Sequence, residues 1–343
     1  MSKKEIFVRV ALVAGVVLIL ALLITLVITA NKPTKPSEES PAVPTVSRGK
    51  AMNILVVGAD RTSGLHDVLM LVHIEPDVPR ATVLQIPRDT YAAYTDGSYR
   101  KLNGAAKRLG GMDALCGFLS QAFGVVIDHY VSLKADALSA LVDAIGGVTI
   151  TLPDALCYED PAQSLSIHLP AGKQTLDGET AEYFVRYRMG YVRGDLGRMD
   201  AQKLFLAALA RSLRDSLDLP SAVRLAAAIL PRTDTNLSIA ELTRLVKVVF
   251  ALADEQVTLI TLPGEEAVAE QSGASYYAVS APASAEVLVR YFGASANGFD
   301  RERILRNPRY PSFCEIYDTY RPYVAYSMGQ IADEGIEIEK TPG

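Results

Sequence analysis

The chain has 343 residues, of which 49% are hydrophobic and 21% charged, and its formal net charge is −5. This modest negative charge argues against nonspecific nucleic-acid binding, which needs a strongly basic surface. The three cysteines, Cys116, Cys157 and Cys314, lack the close spacing of zinc ligands or redox motifs. We therefore expect three buried thiols, with a single disulfide as the open alternative.

The first element in the chain is an apolar segment over residues 10–30 that contains no charged side chain. Its length suits a helix that crosses a bilayer. Lys3, Lys4 and Arg9 precede it, so the positive-inside tendency places residues 1–9 in the cytoplasm and the C-terminal domain outside. A cleaved signal peptide is the alternative, but the apolar stretch is long for one. The sequence thus predicts a single-pass protein of the cell membrane.

Residues 31–50 are polar and rich in proline, which predicts an extended linker rather than a packed structure. No second linker of this kind follows, so we predict one domain over residues 51–293. The remaining residues, 294–343, form a tail rich in Tyr, Arg and Glu, to which the sequence assigns neither fold nor role.

Hydrophobic periodicity predicts alternating strands and helices within this domain. The predicted strands cover residues 52–58, 68–74, 82–86, 148–152 and 257–262. The predicted helices cover residues 104–109, 112–123, 133–145, 198–217, 238–253 and 284–292. This alternation is typical of an α/β protein, so we predict a single layered αβα domain with a central mixed sheet flanked by helices.

A cluster of arginines is the main candidate for a functional site. Arg186, Arg188, Arg193 and Arg198 lie close together in the chain, with Asp195 and Gln202 among them. Several arginines cannot be buried without partners, because each isolated charge is costly to desolvate. The planar guanidinium group is suited to holding phosphate oxygens two at a time. The cluster therefore indicates a phosphate-bearing ligand.

Two aspartates bracket the loop between the first two predicted strands. Asp60 follows the first strand, and Asp67 immediately precedes the second. Mg²⁺ is usually held by one or two carboxylates, with substrate phosphate completing its coordination. The pair is therefore a candidate Mg²⁺ site, and simple turn capping is the alternative.

Further charged side chains follow the third predicted strand. Arg88 and Asp89 come directly after it, at the sheet edge where α/β proteins tend to bind ligands. Lys101 and Asn103 follow and are candidates for contact with the same anion. Surface ion pairing and solvation are the alternatives for these residues.

Several separated motifs, in this order, resemble the LytR-CpsA-Psr family between about residues 51 and 292. They are NILVVGAD (53–60), IPRDTY (86–91), KLN (101–103), IDHY (127–130), LVDAIGG (141–147), Arg186, Arg188, Gly194, Asp195, Gly197, Arg198 and Gln202. Such a series behind an N-terminal anchor makes chance agreement improbable. NLS (236–238) and LPG (262–264) are weaker landmarks of the same family.

The resemblance implies a phosphotransferase on the outer face of the cytoplasmic membrane. Its members move a glycopolymer from undecaprenyl diphosphate to peptidoglycan, usually to the 6-hydroxyl of N-acetylmuramic acid, and leave undecaprenyl phosphate. The family residues then take the following roles here. Asp60 and Asp67 hold Mg²⁺; Arg88, Arg186, Arg188 and Arg198 surround the diphosphate; Asp195 and Gln202 orient the arginines or help to position the hydroxyl.

The identity of the proton acceptor stays open between Asp89 and Asp195. The sequence also departs from the family at one position, because Leu65 stands where an arginine is usual. Arg61, in the same loop, is the candidate replacement for the lost phosphate contact. His66 beside it is interpreted as a solvent-facing bystander. The loop between the two aspartates is short, so the metal geometry is not fixed by the resemblance.

The prenyl chain of such a substrate needs an apolar pocket, because exposing it to water costs about 0.8 kcal/mol per CH₂. Apolar residues of the predicted helices are candidates for its lining, with an ordinary core as the alternative: Leu115, Phe118, Leu119, Phe123, Leu138, Leu141 and Val142. Two other functions stay open. One is a lipid diphosphate phosphatase, in which water replaces the sugar hydroxyl, and the other is a non-catalytic envelope module that binds lipid carriers or regulates wall enzymes. The polymer, whether teichoic acid, capsule or another glycan, is not identified.

Overall fold

The computed structural model describes residues 51–59, 65–75, 80–134, 136–152, 154–160, 165–188, 190–216, 225, 228–238, 241, 245, 248 and 252–339. The predicted anchor and linker, Asp60, Arg61 and most of the helix predicted over residues 238–253 lie outside these ranges. Within the described ranges, no helix combines the length and the apolar character that a membrane crossing requires.

The strands within the described ranges are given in chain order. They are β1 (Met52–Ala59), β2 (His66–Glu75), β3 (Arg80–Gln85), β4 (Tyr91–Ala93), β5 (Tyr99–Lys101), β6 (His129–Leu133), β7 (Val148–Leu152), β8 (Leu156–Asp160), β9 (Leu165–Leu169), β10 (Gly172–Leu176), β11 (Thr233–Thr235), β12 (Val257–Thr261), β13 (Gly264–Ala269), β14 (Ala274–Val279) and β15 (Ala325–Ser327).

The helices within the described ranges were numbered in the same way. They are α1 (Ala105–Leu109), α2 (Met112–Phe123), α3 (Ala137–Ala144), α4 (Gly178–Arg186), α5 (Gly194–Ser216), α6 (Ala281–Phe292), α7 (Pro311–Asp318) and α8 (Met328–Glu334).

A seven-stranded mixed sheet forms the centre of the molecule, in the order β11-β6-β1-β2-β3-β12-β15. The pairs β1–β6 and β3–β12 are parallel, whereas β1–β2 and β2–β3 are antiparallel. The carboxyl ends of β1, β6, β3 and β12 therefore lie at the same edge of the sheet, together with the start of β2. This edge carries the candidate site.

Both faces of the sheet are covered by helices. Alternate residues of β1 point to opposite faces, so Ile54 packs into one apolar cluster and Leu55 into the other. Helices α3, α4, α5 and α8 contribute to the first cluster, and α1, α2 and α6 to the second. The predicted αβα arrangement with a central mixed sheet is confirmed.

The candidate lining of a prenyl pocket is divided between the two faces. Leu119 of α2 belongs to the cluster on one face, and Leu141 of α3 belongs to the cluster on the other. Both side chains are almost completely buried. These helices therefore cannot line one common pocket, and the core interpretation of the residues is the one that the packing supports.

Most predicted elements are present, but one helix begins later than predicted. The helix predicted over residues 133–145 is α3, which starts at Ala137, because Leu133 still belongs to β6. Leu133 pairs with Gly58 of β1 there. Three thiols are free, as expected, but only Cys116 is buried, while Cys157 is exposed.

The C-terminal segment completes the sheet. Strand β15 pairs antiparallel with β12 at the sheet edge. Ser327 then caps α8, because its hydroxyl accepts a hydrogen bond from the backbone N–H of Gln330 over 3.1 Å. Helix α8 lies against α5, where Arg211 donates to the carbonyl oxygen of Ala332 over 2.8 Å. The tail is thus part of the folded domain.

Asp300, in this C-terminal segment, is a buried carboxyl group at positive φ, 41°. It accepts hydrogen bonds from the backbone N–H of Leu305, over 3.0 Å, and from the hydroxyl of Tyr317, over 2.8 Å. Burial raises the pKa of Asp300 to about 6, against hydrogen bonds that oppose the shift. The folded state therefore holds this proton more tightly than the unfolded chain does.

The raised pKa of Asp300 predicts how the free energy of unfolding depends on pH. Between pH 4 and pH 6 the folded state binds more protons at Asp300, so its contribution is full below about pH 4 and is lost as pH rises to about 6. We expect Asp300→Asn to remove this part of the pH dependence, which is on the order of 2 to 3 kcal/mol. Urea unfolding of both proteins at pH 4.5 and 7.5 measures it, with the exposed Glu302→Gln as control. An equal loss of stability in parent and Asp300→Asn would contradict the prediction.

Candidate active site

The site lies where β1, β3 and β12 end. Asp67 is at the start of β2, and Arg88 follows β3 in the next loop. The backbone continues the pairing beyond β3, since Ile86 donates to Leu69 over 2.9 Å and Leu262 donates to Gln85 over 2.8 Å. This places the residues after β3 and β12 side by side, at the edge where sheets of this type tend to bind ligands.

A tight turn fixes the backbone of Arg88 and Asp89. Both the N–H and the hydroxyl of Thr90 donate to the carbonyl oxygen of Pro87, over 3.0 and 2.6 Å. Neighbouring segments also hold Arg88 and Asp89 in place. The backbone N–H of Asn103 donates to the carbonyl oxygen of Arg88, and that of Tyr277 donates to the carbonyl oxygen of Asp89, both over 2.9 Å. The IPRDTY motif therefore forms a rigid turn that holds Arg88 and Asp89 in place.

Two arginines and two aspartates form one connected cluster. Arg88 pairs with Asp67 through Nη1 and lies 3.4 Å from Asp195 through Nε. Arg198 donates to the same Asp195 over 2.9 Å. Asp195 thus joins Arg88 and Arg198, and residues far apart in the sequence meet at one point. The predicted convergence of Asp67, Arg88, Asp195 and Arg198 is present in the structure.

The first turn of α5 positions Asp195 and Arg198. Gly194 begins the helix at φ 48°, a left-handed conformation that glycine adopts at little cost. Arg198 is the third residue after Asp195, so both side chains project from the same side of the helix. A carboxylate in the first turn is also stabilised by the helix dipole. The local sequence therefore fixes the pair before any ligand binds.

Burial strengthens the electrostatic interactions within this cluster. The side chain of Arg198 is almost inaccessible, with 3% of the residue exposed. Burial lowers the pKa of Arg198 and Asp195 opposes that shift, while at Arg88 the carboxylates of Asp195 and Asp67 outweigh burial and raise the pKa. Both groups stay cationic at neutral pH, because an arginine titrates far above it.

Several buried polar atoms near the cluster make no hydrogen bond to a described residue, although Nε of Arg88 lies within ion-pair distance of Asp195. Within the described part of the chain, the Nε atoms of Arg88 and Arg198 and Oε1 of Gln85 make no hydrogen bond. These three side chains line a small cavity together with Asp67 and Gln202. Unpaired buried polar groups are costly, so their accumulation here points to a polar ligand.

Gln202 connects this cluster to α4. Its side-chain amide donates to the carbonyl oxygen of Val185 over 3.1 Å. Arg186 comes next in the chain, pairs with Glu182 over 3.2 Å and keeps 38% of its side chain exposed. The predicted role of Gln202 in orienting the arginines is consistent with this bond, which holds the end of α4 beside the cavity.

Arg188 is the least constrained of the predicted arginines. Its side chain is exposed, and it has no ion-pair partner among the residues that the structure describes. Arg193 is exposed as well and lies 3.5 Å from Asp200. No direct contact joins Arg186 or Arg188 to Arg88 within the described ranges, so the shared carboxylate of Asp195 organises only Arg88 and Arg198.

Asp89 and Lys101 pair with each other. Their charged atoms are 2.9 Å apart, and the ammonium group of Lys101 lies 5.6 Å from the centre of the Tyr276 ring. Asn103 contributes its backbone to the turn, whereas its side chain makes no hydrogen bond in the described part of the structure. Asp89 is therefore a carboxylate with a partner already in place, as Asp195 is.

The segment before Asp67 differs from the prediction at His66. This side chain is buried, with 7% exposed, and not solvent-facing. Burial lowers the pKa of His66 and Asp67 opposes the shift. Leu65, at the position of the usual arginine, lies close to Gly104. An apolar contact therefore replaces a charged side chain, and Arg61 lies outside the described residues.

The described residues supply one candidate metal ligand. Asp67 uses one carboxylate oxygen for Arg88, and its other oxygen has no hydrogen-bond partner within the described ranges. No group of three or more acidic, His or Cys side chains suited to a metal occurs in those ranges. This donor chemistry fits Mg²⁺ held by few carboxylates, because substrate phosphate usually completes its shell.

Two other motifs that resemble the LytR-CpsA-Psr family, IDHY and LVDAIGG, have structural roles. Asp128 accepts a hydrogen bond from the backbone N–H of Asn53 over 2.7 Å, and the Asn53 side chain contacts Nδ1 of His73 over 2.7 Å. Asp143 accepts from Gly178 over 2.7 Å, where α3 and α4 approach so closely that a Cβ on Gly178 would clash with the backbone of Ser139. These residues fix the frame of the domain.

Glu266 in β13 was not predicted. Burial and the nearby carboxylates of Asp195 and Asp89 raise its pKa, while Arg193 and Lys101 oppose the shift. Its carboxylate has no hydrogen bond or ion pair within the described part of the chain. The register of β13 against β14 identifies Glu266 as a site residue. Glu266 stands opposite Tyr277, and Tyr277 contacts the turn after β3.

The fold and these contacts define an αβα domain with a cluster of arginine and aspartate side chains at the carboxyl edge of its sheet. The chain belongs to the LytR_cpsA_psr family, whose model matches residues 21–291. The arginine cluster and the resembling motifs fall within these residues, as expected. The C-terminal segment beyond Tyr291 lies outside the match.

Relatives of known name match part of the chain. It is 27% identical to TagV of Bacillus subtilis strain 168, a polyisoprenyl-teichoic acid–peptidoglycan teichoic acid transferase, over 226 residues that cover 63% of this chain and 58% of TagV. It is 31% identical to TagU of Oceanobacillus iheyensis over 166 residues, 46% of this chain and 50% of TagU. The chain spans about half the length of the curated relatives it matches.

Solved structures share the fold. The crystal structure of B. subtilis TagV superposes with a TM-score of 0.61 at 24% identity, covering 72% of this chain and 99% of that one. TagT bound to LIIa-WTA superposes with a TM-score of 0.58 at 23% identity, covering 73% and 94%. At these identities the likeness establishes the architecture alone.

Proposed function

We propose that this protein is a phosphotransferase that moves a glycopolymer from an undecaprenyl diphosphate carrier to peptidoglycan. The observation that carries the proposal is the pair Arg88 and Arg198, which share Asp195 and whose buried Nε atoms make no hydrogen bond within the described part of the chain and lie beside a small cavity. A diphosphate supplies the acceptor oxygens that such atoms lack. TagV and TagU are teichoic acid transferases, and the similarity to them supports glycopolymer transfer as the reaction.

The reaction is a displacement at phosphorus. The hydroxyl oxygen of the acceptor, which we propose to be the 6-hydroxyl of N-acetylmuramic acid, bonds to the phosphorus that carries the polymer. The bond from this phosphorus to the bridging oxygen breaks, and undecaprenyl phosphate leaves with the electron pair. The hydroxyl proton passes to a carboxylate. Phosphoryl transfer depends mainly on positioning and on neutralising charge, so fixed arginines are the main contribution of the protein.

The residues of this chain divide those tasks. Arg88 and Arg198 hold the diphosphate oxygens at the sheet edge, with Asp195 keeping both guanidinium groups in place. Arg186 and Arg188, at the end of α4, bind the outer oxygens, where their exposure leaves them accessible to a large substrate. Lys101 and Asn103 line the approach beside Asp89.

We further propose that Mg²⁺ assists, held by Asp67 and by Asp60 in the adjoining loop. A bound Mg²⁺ neutralises phosphate charge and orients its oxygens. The free oxygen of Asp67 supports this role. The predicted anchor over residues 10–30 would keep the domain at the outer face of the cytoplasmic membrane, where lipid-linked donor and peptidoglycan meet.

The metal proposal makes a testable prediction. We expect Asp67→Asn to shift the Mg²⁺ concentration that gives half-maximal transfer at least tenfold higher, because a neutral amide binds a hard cation less well than a carboxylate. Full-length protein is titrated with Mg²⁺ after chelation, with the exposed Asp113→Asn as the matched control. Equal activity with and without chelator in the parent would refute a metal role.

Product analysis tests the function itself. Full-length protein in detergent is incubated with a lipid-linked donor and a peptidoglycan fragment, and the products are identified by mass spectrometry. A phosphodiester conjugate together with undecaprenyl phosphate is the expected result. Release of phosphorylated polymer without conjugate would assign hydrolysis instead, and no turnover of a bound donor would assign a binding module.

A further inference from the structure

A second cleft opens beside the arginine cluster, on the other side of the first turns of α5. It has a volume of about 570 Å³ with its open mouth included. Its walls come from α5, from the β12–β13 junction and from residues 322–326 of the C-terminal segment. That last wall lies outside the family match, which ends at residue 291. The diphosphate site described above does not use this cleft.

Aromatic and apolar side chains line the cleft. Tyr323, Tyr326 and Pro322 of the C-terminal segment face it, and Tyr277 lies on the opposite wall. Val324 at its mouth is 58% exposed, which is unusual for a large apolar side chain. Aromatic rings that combine an apolar face with a polar edge suit a ligand that is itself amphipathic, such as a sugar ring.

The charges in the cleft are arranged asymmetrically. Lys203 is buried, with its side chain 2% exposed, and bonds to Asp200 over 2.6 Å and to Thr261 over 2.7 Å. Arg193 lies 3.5 Å from the same Asp200 and reaches solvent. Two cations thus share one carboxylate, so the residues that line the cleft have a positive formal charge, although burial lowers the pKa of Lys203 against the opposing effect of Asp200. A carboxylate-bearing saccharide would complement it.

Glu266 lies beside Gly194, between Arg193 of the cleft and Asp195 of the arginine cluster. Its carboxylate lies 3.9 Å from the position that a Cβ on Gly194 would take, directly before Asp195. It shares a face of the β13–β14 hairpin with Tyr277, which lines the cleft. Asp89 and Asp195 are committed to cationic partners, whereas Glu266 has none within the described ranges. A proton acceptor between the two sites is therefore available.

We propose that this cleft binds the peptidoglycan acceptor and that Glu266, beside Gly194 between Arg193 and Asp195, accepts the proton of the attacking hydroxyl. The proposal rests on the transfer function proposed above. The acceptor oxygen bonds to the polymer-bearing phosphorus, the bond to the bridging oxygen breaks, and the proton moves to the Glu266 carboxylate. The burial and like charges that raise the pKa of Glu266 favour proton uptake there.

The test separates acceptor binding from donor binding. A disaccharide-peptide fragment of peptidoglycan is titrated into full-length parent, Tyr323→Ala, Val324→Asp and Arg193→Ala by calorimetry, and the lipid-linked donor is titrated in parallel. We expect the Kd for the fragment to rise at least tenfold in the variants, while the Kd for the donor stays within twofold. Val289→Asp, an equally apolar exposed position on α6, is the matched control and should change neither value.

A neutral chitin oligosaccharide serves as a second test ligand in the same titrations. Weaker binding of this oligosaccharide than of the carboxylate-bearing fragment is expected, and the difference should disappear in Arg193→Ala. In transfer assays, Glu266→Gln should lower kcat at least a hundredfold with less than a threefold change in the KM for the fragment. A mainly structural role of Glu266 would move the melting temperature or the KM instead.

The outcomes distinguish the two proposals. If the parent transfers polymer to the fragment and all cleft variants bind it normally, the cleft assignment is wrong and the transfer function stands. A larger loss for donor than for acceptor would also overturn it and assign the cleft to the donor. If the parent neither binds nor modifies the fragment, both proposals fall.

Discussion

Replacing Arg88 with alanine is expected to lower the rate of transfer by roughly 10³-fold or more, the effect seen when a phosphate-neutralising arginine is lost. Arg88 is the one residue that contacts both Asp67 and Asp195 in the described structure. Its removal takes a positive charge from the diphosphate and leaves two neighbouring carboxylates that repel the substrate. Arg88→Lys keeps the charge but loses the planar fork, so we expect an intermediate loss of roughly 10²-fold.

Arg80→Ala is the matched control, because Arg80 starts the same strand, β3, and pairs at the surface with Glu75 over 3.1 Å. Formation of the conjugate is followed by mass spectrometry, and thermal unfolding shows whether each variant is folded. Turnover of folded Arg88→Ala at the rate of the Arg80→Ala control would rule out a role of the cluster in transfer.

Arg186→Ala and Arg188→Ala are each expected to abolish measurable transfer while the domain stays folded. Both side chains are exposed, and substitutions at such positions usually change the free energy of unfolding by less than about 0.5 kcal/mol. The expected cost is in the reaction, because each variant removes a cation from the outer side of the diphosphate.

The exposed Arg290 of α6 is a suitable control for these two variants. Initial rates at saturating and at low donor concentration separate a loss of binding from a loss of transition-state stabilisation. Parental rates in both variants would exclude the end of α4 from the site, even if Arg88 proved essential.

Buried strands were the most predictable part of this fold. Residues of β1 and β2 form continuous apolar runs because helices cover both faces of the sheet, and such runs are recognisable without a partner. The hairpin β8–β9 was missed, since short polar strands resemble loops in sequence. The start of α3 was misplaced for a different reason, because pairing with β1 holds Leu133 in a strand.

The site was predictable where charge and chain position coincide. Asp67 and Arg88 were assigned because they flank predicted strands, and Asp195 and Arg198 because they belong to the arginine cluster; the structure brings these four together. Their pairing was not predictable, since it depends on the order of strands in the sheet. Glu266 was missed because Glu265 beside it is equally acidic, and only the register of β13 against β14 separates them.

The sharing of Asp195 has a consequence for selectivity. In the cluster described here, the two cations Arg88 and Arg198 face the two anions Asp67 and Asp195, so the formal charges cancel. An incoming anion must compete with these internal partners. Chloride and other abundant monovalent ions compete poorly, whereas a ligand with two adjoining phosphates engages both guanidinium groups at once. Under the proposed function, the site therefore stays available in salt to a lipid-borne diphosphate.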